Sequence, residues 1–469
     1  MSNVIELNTD VVVLGAGPGG YAAAFRAADL GKKVILIEKN STLGGVCLNV
    51  GCIPSKTLLH AAQVIEEAKH AASYGITFSE PQIDINKLRN QKNSVIRRLT
   101  MGLAGLAKKR NVAVLTGVGK FLSDKQMEVL TSNGEKTLVN FTNAIIAAGS
   151  APVNLPFVPE DPRVLDSTSA LEINFVPKKI LILGAGIIGL EMATVYHALG
   201  SQITVVELMN QIIPGADLDA VKPLHQIISK KYAKIMLETK VVAVEAKEEG
   251  LLVHFEGKNA SAEPELFDAV LVAVGRKPNG HLISVKEIGI SVDERGFIPV
   301  NSKLQTNLNN IYAIGDIIGN PMLAHKAAFE GRLAAEIITG SSRVNTPQPI
   351  PSVAYTDPEI AWVGATENEL KKQGIDYGKG VFPWLASGRA ASIGRSEGMT
   401  KLLFDKASHL LLGASVTGVG AGELISELAF ALQKGATAED IAHTIHPHPT
   451  LSESVMLAAE VFEGTITDL

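Results

Sequence analysis

Residues 10–39, DVVVLGAGPGGYAAAFRAADLGKKVILIEK, decide the fold because three local patterns follow one another in this short stretch. The β-branched run predicts a buried strand, the glycines predict a tight turn, and the alanine-rich run predicts a helix. A second apolar run then closes the stretch and ends in Glu38. The order strand, turn, helix, strand is typical of a βαβ unit in an α/β fold.

The same pattern returns in residues 179–208, KILILGAGIIGLEMATVYHALGSQITVVEL. In both copies the closing acid lies 23 residues after the first glycine. The glycines and acids are Gly15, Gly17, Gly20 and Glu38 in the first copy, and Gly184, Gly186, Gly189 and Glu207 in the second. This internal repeat predicts two units of the same architecture within one chain.

Each glycine of such a unit has a separate task. The first permits a tight turn, the second lets the backbone approach a pyrophosphate, and the third lets helix and strand pack closely. The helix N-terminus stabilises the anionic charge, and the acid accepts hydrogen bonds from a ribose. An ordinary glycine-rich turn is the alternative for either copy alone. No arginine follows Glu207 in residues 208–211, LMNQ, so the second site should prefer NAD to NADP.

Two further segments predict strands that end in turns beside the first copy. IIAAGS, residues 145–150, resembles a strand that ends in a tight turn. IYAIGD, residues 311–316, resembles a strand followed by a helix from about Ala324. Asp316 could bond a sugar-like hydroxyl, and a solvated helix cap is the alternative.

Composition excludes several classes of protein. Hydrophobic residues make up 46% of the 469 residues, which is ample for large cores. The net charge is −5 without a long basic run, which argues against nucleic acid as a partner. The most apolar stretches are short and interrupted by glycine, so we expect no membrane span. The first residues, MSNVIELNTD, are not typical of a signal or transit peptide. We therefore expect a cytoplasmic location, although a mature mitochondrial chain would look the same.

The only two cysteines, Cys47 and Cys52, lie in GGVCLNVGCIPSK, residues 44–56. On a regular helix their Cα atoms would be about 8–9 Å apart, whereas a disulfide requires less than about 7 Å. A redox pair therefore needs a distorted turn, which Gly51 would allow. Two buried thiols or half of a metal site are the alternatives, and no third cysteine completes a thiolate metal site. Lys56 follows on the same helix and could stabilise a thiolate.

The C-terminal segment HTIHPHPTLSESV, residues 443–455, contains three histidines and a glutamate. Disulfide chemistry needs a base near neutral pH, and His448 with Glu453 to orient its ring fits this need. A histidine metal cluster is the alternative, but no suitable carboxylate ligand precedes it. We expect only a packing role for His443, and the same role is open for His446.

Taken together, CLNVGCIPSK, the two glycine-rich copies, AIGD, MLAHKAAFEG and HPHPTLSES resemble the flavin-dependent pyridine nucleotide–disulfide oxidoreductase family, over nearly the whole chain. Within that family the resemblance is to the branch that acts on dihydrolipoyl groups. It implies that the first copy binds FAD and the second NAD. The further flavin contacts implied are Lys56, Gly119, Ala148, Gly149, Ser150, Asp316, Met322 and Ala324. The further NAD contacts implied are Val241 and Gly275. The resemblance assigns no role to AAFEG, residues 327–331.

The resemblance also implies catalytic roles. Cys47 would exchange with the dithiol substrate and Cys52 would contact the flavin. Lys56 would pair with Glu191 beside the flavin. His448, oriented by Glu453, would reach across from the partner subunit of a homodimer.

The activity implied is oxidation of protein-bound dihydrolipoyl groups with reduction of NAD⁺. The implied partners are the lipoyl domain and the acyltransferase core of a 2-oxoacid dehydrogenase complex. The lipoyl carrier of glycine cleavage is a further implied partner.

These expectations define an α/β fold with two Rossmann-like dinucleotide-binding domains and a C-terminal α+β dimerisation domain. The FAD domain should span residues 1–150 and the NAD domain residues 151–279. A central segment, residues 280–348, should complete the flavin region. The interface domain should span residues 349–469.

Related activities differ at identifiable positions. Glutathione-type reductases use NADPH and carry arginines where this chain has none. Mercuric reductases carry a C-terminal cysteine pair, whereas this chain ends EGTITDL. A non-catalytic scaffold, a flavin oxidase or a transhydrogenase would not need both cysteines, which are present here.

Overall fold

The structure, a computed structural model, describes residues 5–469 and contains twelve α-helices and twenty-two strands in that range. The helices are α1 (Pro18–Asp29), α2 (Gly45–Val50), α3 (Cys52–His70), α4 (Ile85–Lys109), α5 (Ile187–Ala198), α6 (Leu218–Lys231), α7 (Ala324–Ile338), α8 (Glu367–Gln373), α9 (Gly388–Ser392), α10 (Ala421–Lys434), α11 (Ala438–Ala442) and α12 (Glu453–Glu463).

The strands are β1 (Ile5–Leu14), β2 (Val34–Glu38), β3 (Ala113–Thr116), β4 (Val118–Phe121), β5 (Gln126–Leu130), β6 (Lys136–Ile146), β7 (Ser150–Pro152), β8 (Val164–Leu165), β9 (Lys179–Leu183), β10 (Gln202–Val206), β11 (Lys234–Met236), β12 (Thr239–Ala246), β13 (Leu251–Gly257), β14 (Glu265–Phe267), β15 (Ala269–Val272), β16 (Arg276–Pro278), β17 (Ile311–Ala313), β18 (Ser352–Ala354), β19 (Glu359–Gly364), β20 (Tyr377–Pro383), β21 (Met399–Asp405) and β22 (Leu411–Gly418). Short 3₁₀ helices cover Ala71–Tyr74, Ser169–Glu172, Gly280–Leu282, Val285–Ile288, Gly315–Ile317 and Trp384–Ala386.

The chain forms two compact units. Within the described residues, unit 1 comprises residues 5–57, 84–153 and 275–347, and unit 2 comprises residues 58–83, 154–274 and 348–469. No helix within residues 5–469 is both long enough and apolar enough to cross a bilayer.

Unit 1 is built on a sheet of seven strands in the order β3-β2-β1-β6-β5-β4, with β17 paired to β6. Strands β1, β2, β3, β6 and β17 pair in parallel, and β4 and β5 add antiparallel edges. Both faces of this sheet are buried. Val11 and Val13 pack in one apolar cluster, while Val12 and Leu14 pack in another. This two-sided burial explains why β1 ends in a continuous apolar run.

Unit 2 contains a parallel sheet, β11-β10-β9-β15-β8, which carries the second glycine-rich turn. A three-stranded antiparallel sheet, β12-β13-β14, shares an apolar core with it. The C-terminal part of the unit is an antiparallel sheet, β18-β19-β22-β21-β20, covered by α10 and α12. The α/β class expected from the sequence is therefore confirmed, and each glycine-rich copy forms part of a parallel sheet.

Candidate active site

The first glycine-rich turn, in unit 1, leaves no room for side chains at two of its glycines. A Cβ atom on Gly15, whose φ is +99°, would lie 2.4 Å from the Ala147 carbonyl oxygen. A Cβ atom on Gly20 would lie 1.8 Å from the Gly15 oxygen. At Gly17 the nearest such atom is the Cα of Gly45, 4.0 Å away. The middle glycine therefore borders open space, as a bound pyrophosphate requires.

Glu38 ends the strand beside this turn and is held on both of its oxygens. Oε2 accepts from the Ala16 N–H at 2.9 Å, and Oε1 accepts from the N–H and the side-chain amide of Asn40 at 3.0 Å. Within the described chain no side chain caps the N-terminus of α1, whose N-cap is Gly17. The exposed helix amides and the oriented carboxylate fit the phosphate and ribose of a dinucleotide.

The second turn, in unit 2, repeats this geometry. A Cβ on Gly184 would lie 2.6 Å from the Ala273 oxygen, and one on Gly189 would lie 2.0 Å from the Gly184 oxygen. Around Gly186 no heavy atom of residues 5–469, apart from its own neighbours in the chain, lies within 4 Å of the Cβ position.

Glu207 is oriented as Glu38 is. It accepts from the Ala185 N–H at 2.8 Å and from the Met209 N–H at 2.9 Å. The residues present therefore fit a second dinucleotide. Of the other predicted contacts, Val241 places its side chain in the core of unit 2, which leaves only its backbone for a ligand, and Gly275 belongs to unit 1.

The two cysteines flank a break between helices. Helix α2 ends at Val50 and α3 begins at Cys52, so the distortion that the spacing predicted lies at Gly51. A Cβ on Gly51 would lie 2.9 Å from the Val46 carbonyl oxygen, so only glycine fits there. Both cysteines are thiols in the structure, and a side-chain hydrogen bond joins them.

The surroundings of Cys47 keep its thiol protonated in this dithiol state. The hydrogen bond with Cys52, followed by burial, raises the pKa of Cys47 far above its ordinary value. The positive charge of Lys56 acts in the opposite direction, and the negative charge of Asp316 adds to the increase.

The cysteine segment is attached to the first glycine-rich turn. The Gly44 N–H donates to the Ala16 oxygen at 2.8 Å. A Cβ on Gly45 would lie 2.6 Å from the Cα of Gly17, so the two backbones are in contact. Unit 1 thus brings the dithiol next to the turn that fits a pyrophosphate.

The predicted residues 148–150 and Asp316 meet on one side of unit 1. The Ser150 hydroxyl donates to Asp316 Oδ2 at 2.6 Å. Arg276 donates to both oxygens of Ser150 at 2.7 Å. Asn279 donates to the Ala148 oxygen at 2.8 Å through its amide and to the Gly149 oxygen at 3.0 Å through its N–H.

The sequence interpretation missed Arg276 and Asn279, which hold this turn. The strand pair β7–β16 brings them there, and no local signal in the sequence indicates this pairing.

The remaining predicted flavin contacts also lie in unit 1. A Cβ on Gly119 would lie 2.7 Å from Leu14 Cδ1, so close packing explains this glycine. Helix α7 begins at Ala324, as predicted, directly after Met322 and Leu323, and in the described chain no side chain caps it. Lys56 lies in the first turns of α3, on the same helix as Cys52.

Unit 2 contains the predicted acid–base pair. Nδ1 of His448 lies 2.8 Å from Glu453 Oε1, and Glu453 Oε2 accepts from the Thr450 N–H at 2.7 Å. Burial alone would raise the pKa of Glu453, but the bonds from Thr450 and His448 outweigh it and lower that pKa. Glu453 is therefore an ionised acceptor that fixes Nδ1 as the protonated nitrogen. The His448 side chain is 79% exposed, which leaves Nε2 accessible to a reactant.

The other two histidines differ from each other. The His446 ring is almost fully buried, 2.7 Å from Glu427 and 2.8 Å from the Thr444 oxygen. His443 is exposed and 3.9 Å from Glu439.

Glu191 is buried in unit 2, where it accepts from the Tyr355 N–H at 3.1 Å. Since Lys56 belongs to unit 1, the Lys56–Glu191 pair stays a prediction.

One group of carboxylates in the described chain has the spacing of a cation site: Asp217, Asp219 and Glu367 in unit 2. The ammonium of Lys401 contacts all three, at 2.8 Å from Asp217 and 3.1 Å from Glu367. Lys401 is completely buried. The Lys401 ammonium therefore occupies the position that a cation would take among these carboxylates, and Lys379 adds a second positive charge beside Asp219 and Glu367.

Comparisons with known proteins identify the relatives of this chain. Residues 9–331 match the family described as pyridine nucleotide-disulphide oxidoreductase, and residues 350–459 match its dimerisation domain. The chain is 58% identical to the dihydrolipoyl dehydrogenase of Vibrio parahaemolyticus, over 99% of this chain and 98% of the relative. It is 43% identical to that of Bacillus subtilis, over 98% of this chain and 97% of the relative. The solved structure of LpdA from Mycobacterium tuberculosis, at 24% identity, has the same fold, with a TM-score of 0.89 over 97% of this chain and 99% of that one.

Proposed function

The chain belongs to the pyridine nucleotide–disulphide oxidoreductase family, and from that premise we propose that it oxidises protein-bound dihydrolipoyl groups to lipoyl groups while NAD⁺ is reduced to NADH. It is an oxidoreductase that uses FAD and NAD. The single observation that carries the proposal is the attachment of Gly44 and Gly45 to the first glycine-rich turn. This attachment places a dithiol beside a dinucleotide site, which disulfide chemistry coupled to a flavin requires.

We assign the thiol–disulfide step to Cys47, Cys52 and His448. A substrate thiolate attacks the sulfur of Cys47 in the oxidised pair, and Cys52 leaves as a thiolate. The second substrate thiol then displaces Cys47, which closes the lipoyl disulfide and leaves the enzyme pair reduced. Nε2 of His448 takes the proton from the first attacking thiol and gives it to Cys47 when that sulfur leaves. It then takes the proton of the second substrate thiol, and Glu453 stabilises the resulting imidazolium.

The two glycine-rich turns hold the electron carriers. FAD, when bound at the first turn, and NAD, at the second, supply the two-electron path from the reduced cysteines to nicotinamide. Glu38 and Glu207 orient the two riboses, and Glu207 disfavours a 2′-phosphate. Lys56 and Glu191 are assigned to the flavin side of the cysteine pair, and Asp316 to a hydroxyl of the flavin side chain. We also propose the other contacts that the resemblance implies. These are Gly119, Ala148, Gly149, Ser150, Met322 and Ala324 for the flavin, and Val241 and Gly275 for NAD.

The assembly extends the proposal to partners. The dimerisation domain, residues 350–459, indicates a homodimer. We assign His448 to the site of the partner subunit. The lipoyl domain and acyltransferase core of a 2-oxoacid dehydrogenase complex are the proposed partners, with the glycine-cleavage lipoyl carrier as a further one. The bacterial origin of the close relatives supports a cytoplasmic location.

Steady-state turnover with three oxidised substrates tests the function. Lipoamide, glutathione disulfide and mercuric ion are each offered with NADH and, separately, with NADPH. The proposal predicts efficient turnover for lipoamide with NADH alone. Faster turnover of glutathione disulfide or of mercuric ion would overturn it.

A further inference from the structure

A buried ion pair on α7 lies outside the roles assigned so far. Lys326 and Glu330 belong to the run HKAAFEG, in which AAFEG had no role. Their side chains are 10% and 3% exposed, and Lys326 Nζ lies 3.0 Å from Glu330 Oε1. Removing two charges from water is unfavourable, and a buried pair is often no more stabilising than an apolar pair of similar size. Packing alone therefore does not explain why these residues are charged.

Their contacts give the pair a specific target. Glu330 Oε2 accepts from the Gly315 N–H at 2.8 Å. Lys326 Nζ lies 3.4 Å from the carbonyl oxygens of Gly315 and Gly319. The pair thus contacts peptide groups of Gly315 and Gly319, which lie before and after Asp316 in the same turn. Gly315 has φ of +76°, and a Cβ there would lie 3.0 Å from Ala327 Cβ, so this turn has little freedom.

Helix α7 is itself tightly seated against the first glycine-rich helix. A Cβ on Gly331 would lie 2.3 Å from the Gly19 oxygen, and one on Gly19 would lie 3.0 Å from the Ala327 oxygen. The ion pair therefore couples the position of Asp316 to that of α1, the helix whose N-terminus fits the pyrophosphate.

The charges also belong to one electrostatic neighbourhood. Burial raises the pKa of Glu330, and the negative charge of Asp316 adds to this increase, while Lys326 and the Gly315 N–H oppose it. Asp316 in turn raises the pKa of Cys47. Removing the charge of Glu330 therefore changes the electrostatic potential at Asp316. Asp316 in turn lies close enough to Cys47 to influence the pKa of its thiol.

We propose that Lys326 and Glu330 are positioning residues that hold Asp316 in the orientation in which it binds a hydroxyl of the flavin cofactor. This inference rests on the proposed function only for the identity of that cofactor. The pair acts through the Gly315 turn and does not touch the reacting atoms.

The test is the rate of FAD release from the holoenzyme, followed by flavin fluorescence well below the unfolding temperature, together with the flavin absorption spectrum. Glu330→Leu removes the acceptor and should accelerate release by about 10-fold to 100-fold, as loss of a hydrogen bond to a charged group implies. It should also alter the bound flavin spectrum. Glu330→Gln keeps an acceptor for Gly315 and should recover most of the loss.

Glu336→Leu is the matched control, because Glu336 lies on the same helix and pairs with Arg26 at 2.8 Å without contacting the Gly315 turn. It should leave release and spectrum unchanged. Wild-type release in Glu330→Leu, or equal acceleration in Glu336→Leu, would overturn the proposal.

If Glu330→Leu does not fold, Lys326→Met provides the same comparison, with faster release supporting the proposal and unchanged release contradicting it. No disulfide substrate is needed for any of these measurements. Failure of lipoamide turnover would therefore refute the proposed function and leave this inference standing.

Discussion

The two glycine-rich turns have the same backbone geometry but different surroundings. In the first, Gly45 contacts Gly17, and the Gly44 N–H donates to Ala16, so another segment closes over the turn. In the second, the Ile213 N–H makes the matching bond to the Ala185 oxygen at 2.9 Å, but the side of Gly186 where a side chain would project meets no atom of the described chain within 4 Å. A further segment therefore holds each turn, but only in the first does its backbone contact the middle glycine.

The helices after the turns differ in the same sense. Gly19 in the first helix lies against Ala327 of α7, where a Cβ would be 3.0 Å from the Ala327 oxygen. The equivalent position in the second helix is Ile188, which is 36% exposed. Glu38 is buried, whereas Glu207 is only partly buried. This difference is what we expect if the first turn holds a retained cofactor and the second an exchangeable one.

The largest expected effect concerns the cysteine segment that is attached to the first turn. Cys47→Ser or Cys52→Ser should lower lipoamide turnover by about 10³-fold or more, because the covalent exchange step is lost. Reduction of ferricyanide by NADH uses both turns but not the dithiol, so it should persist in both variants. Steady-state assays of the two reactions check this separation.

The spectra of the same variants separate the two thiols. Cys47→Ser should show a long-wavelength absorption band from the Cys52 thiolate beside the flavin, and Cys52→Ser should not. The opposite result would reverse the roles of the two cysteines.

The next effect concerns the base that unit 2 supplies. His448→Ala should lower lipoamide turnover by about 10²–10⁴-fold, the usual contribution of a general acid–base residue. Mixed dimers of His448→Ala and Cys47→Ser test where His448 acts. One of their two sites is intact if the histidine reaches the partner's cysteines, so activity should return to about half of wild type.

Activity of purified mixed dimers equal to the mean of the two parents would show that His448 serves its own chain. The NADH–ferricyanide reaction, which does not need the histidine, serves as the control for folding and flavin content.

Alanine substitutions at the two middle glycines test the comparison of the two turns directly. Neither Cβ would meet a protein atom closer than 4.0 Å, so both apoproteins should fold normally. Gly17→Ala should accelerate FAD loss, and Gly186→Ala should raise the KM for NADH while FAD is retained. We expect changes of about tenfold, or ~1.4 kcal/mol. Loss of FAD from Gly186→Ala would contradict the assignment of the second turn.

The last expected effect, similar in size to the preceding one, concerns the acid beside the second turn. The wild type should use NADH far better than NADPH, and Glu207→Gln should narrow that preference by about tenfold, since it removes the repulsion of a 2′-phosphate. The ratio of kcat/KM for the two nucleotides is the measurement, and the KM for lipoamide is the control. Equal use of both nucleotides by the wild type would refute the ribose assignment.

The features that the sequence predicted well are local ones. The glycine turns, the acids that end β2 and follow β10, the break at Gly51 and the start of α7 at Ala324 each depend on neighbours within a few residues, or on a repeat of fixed spacing. Glycine is required at these points because another part of the backbone lies too close for a side chain. The spacing of the glycines in the sequence is enough to indicate this.

The features that could not be predicted depend on contacts distant in sequence. Arg276 reaches Ser150 across 126 residues, and Asn279 reaches Ala148 across 131. These contacts exist because β7 pairs with β16, and nothing in either short strand indicates its partner. The role proposed for Glu330 could not be predicted, because its carboxylate accepts a hydrogen bond from a backbone N–H. A bond to the backbone does not depend on the identity of the partner side chain, so the sequence pattern does not indicate it.

The buried Lys401 has a consequence for the exchange of segments between related chains. Two of its acidic partners, Asp217 and Asp219, lie at the start of α6, whereas Glu367 and the lysine itself lie in the C-terminal part of unit 2. A chimera that joins the C-terminal part of one relative to the nucleotide-binding part of another inherits this charge group half from each parent. Such hybrids should fold only when the nucleotide-binding part carries acids at positions 217 and 219 to pair with Lys401. These four residues therefore limit which segments related chains can exchange.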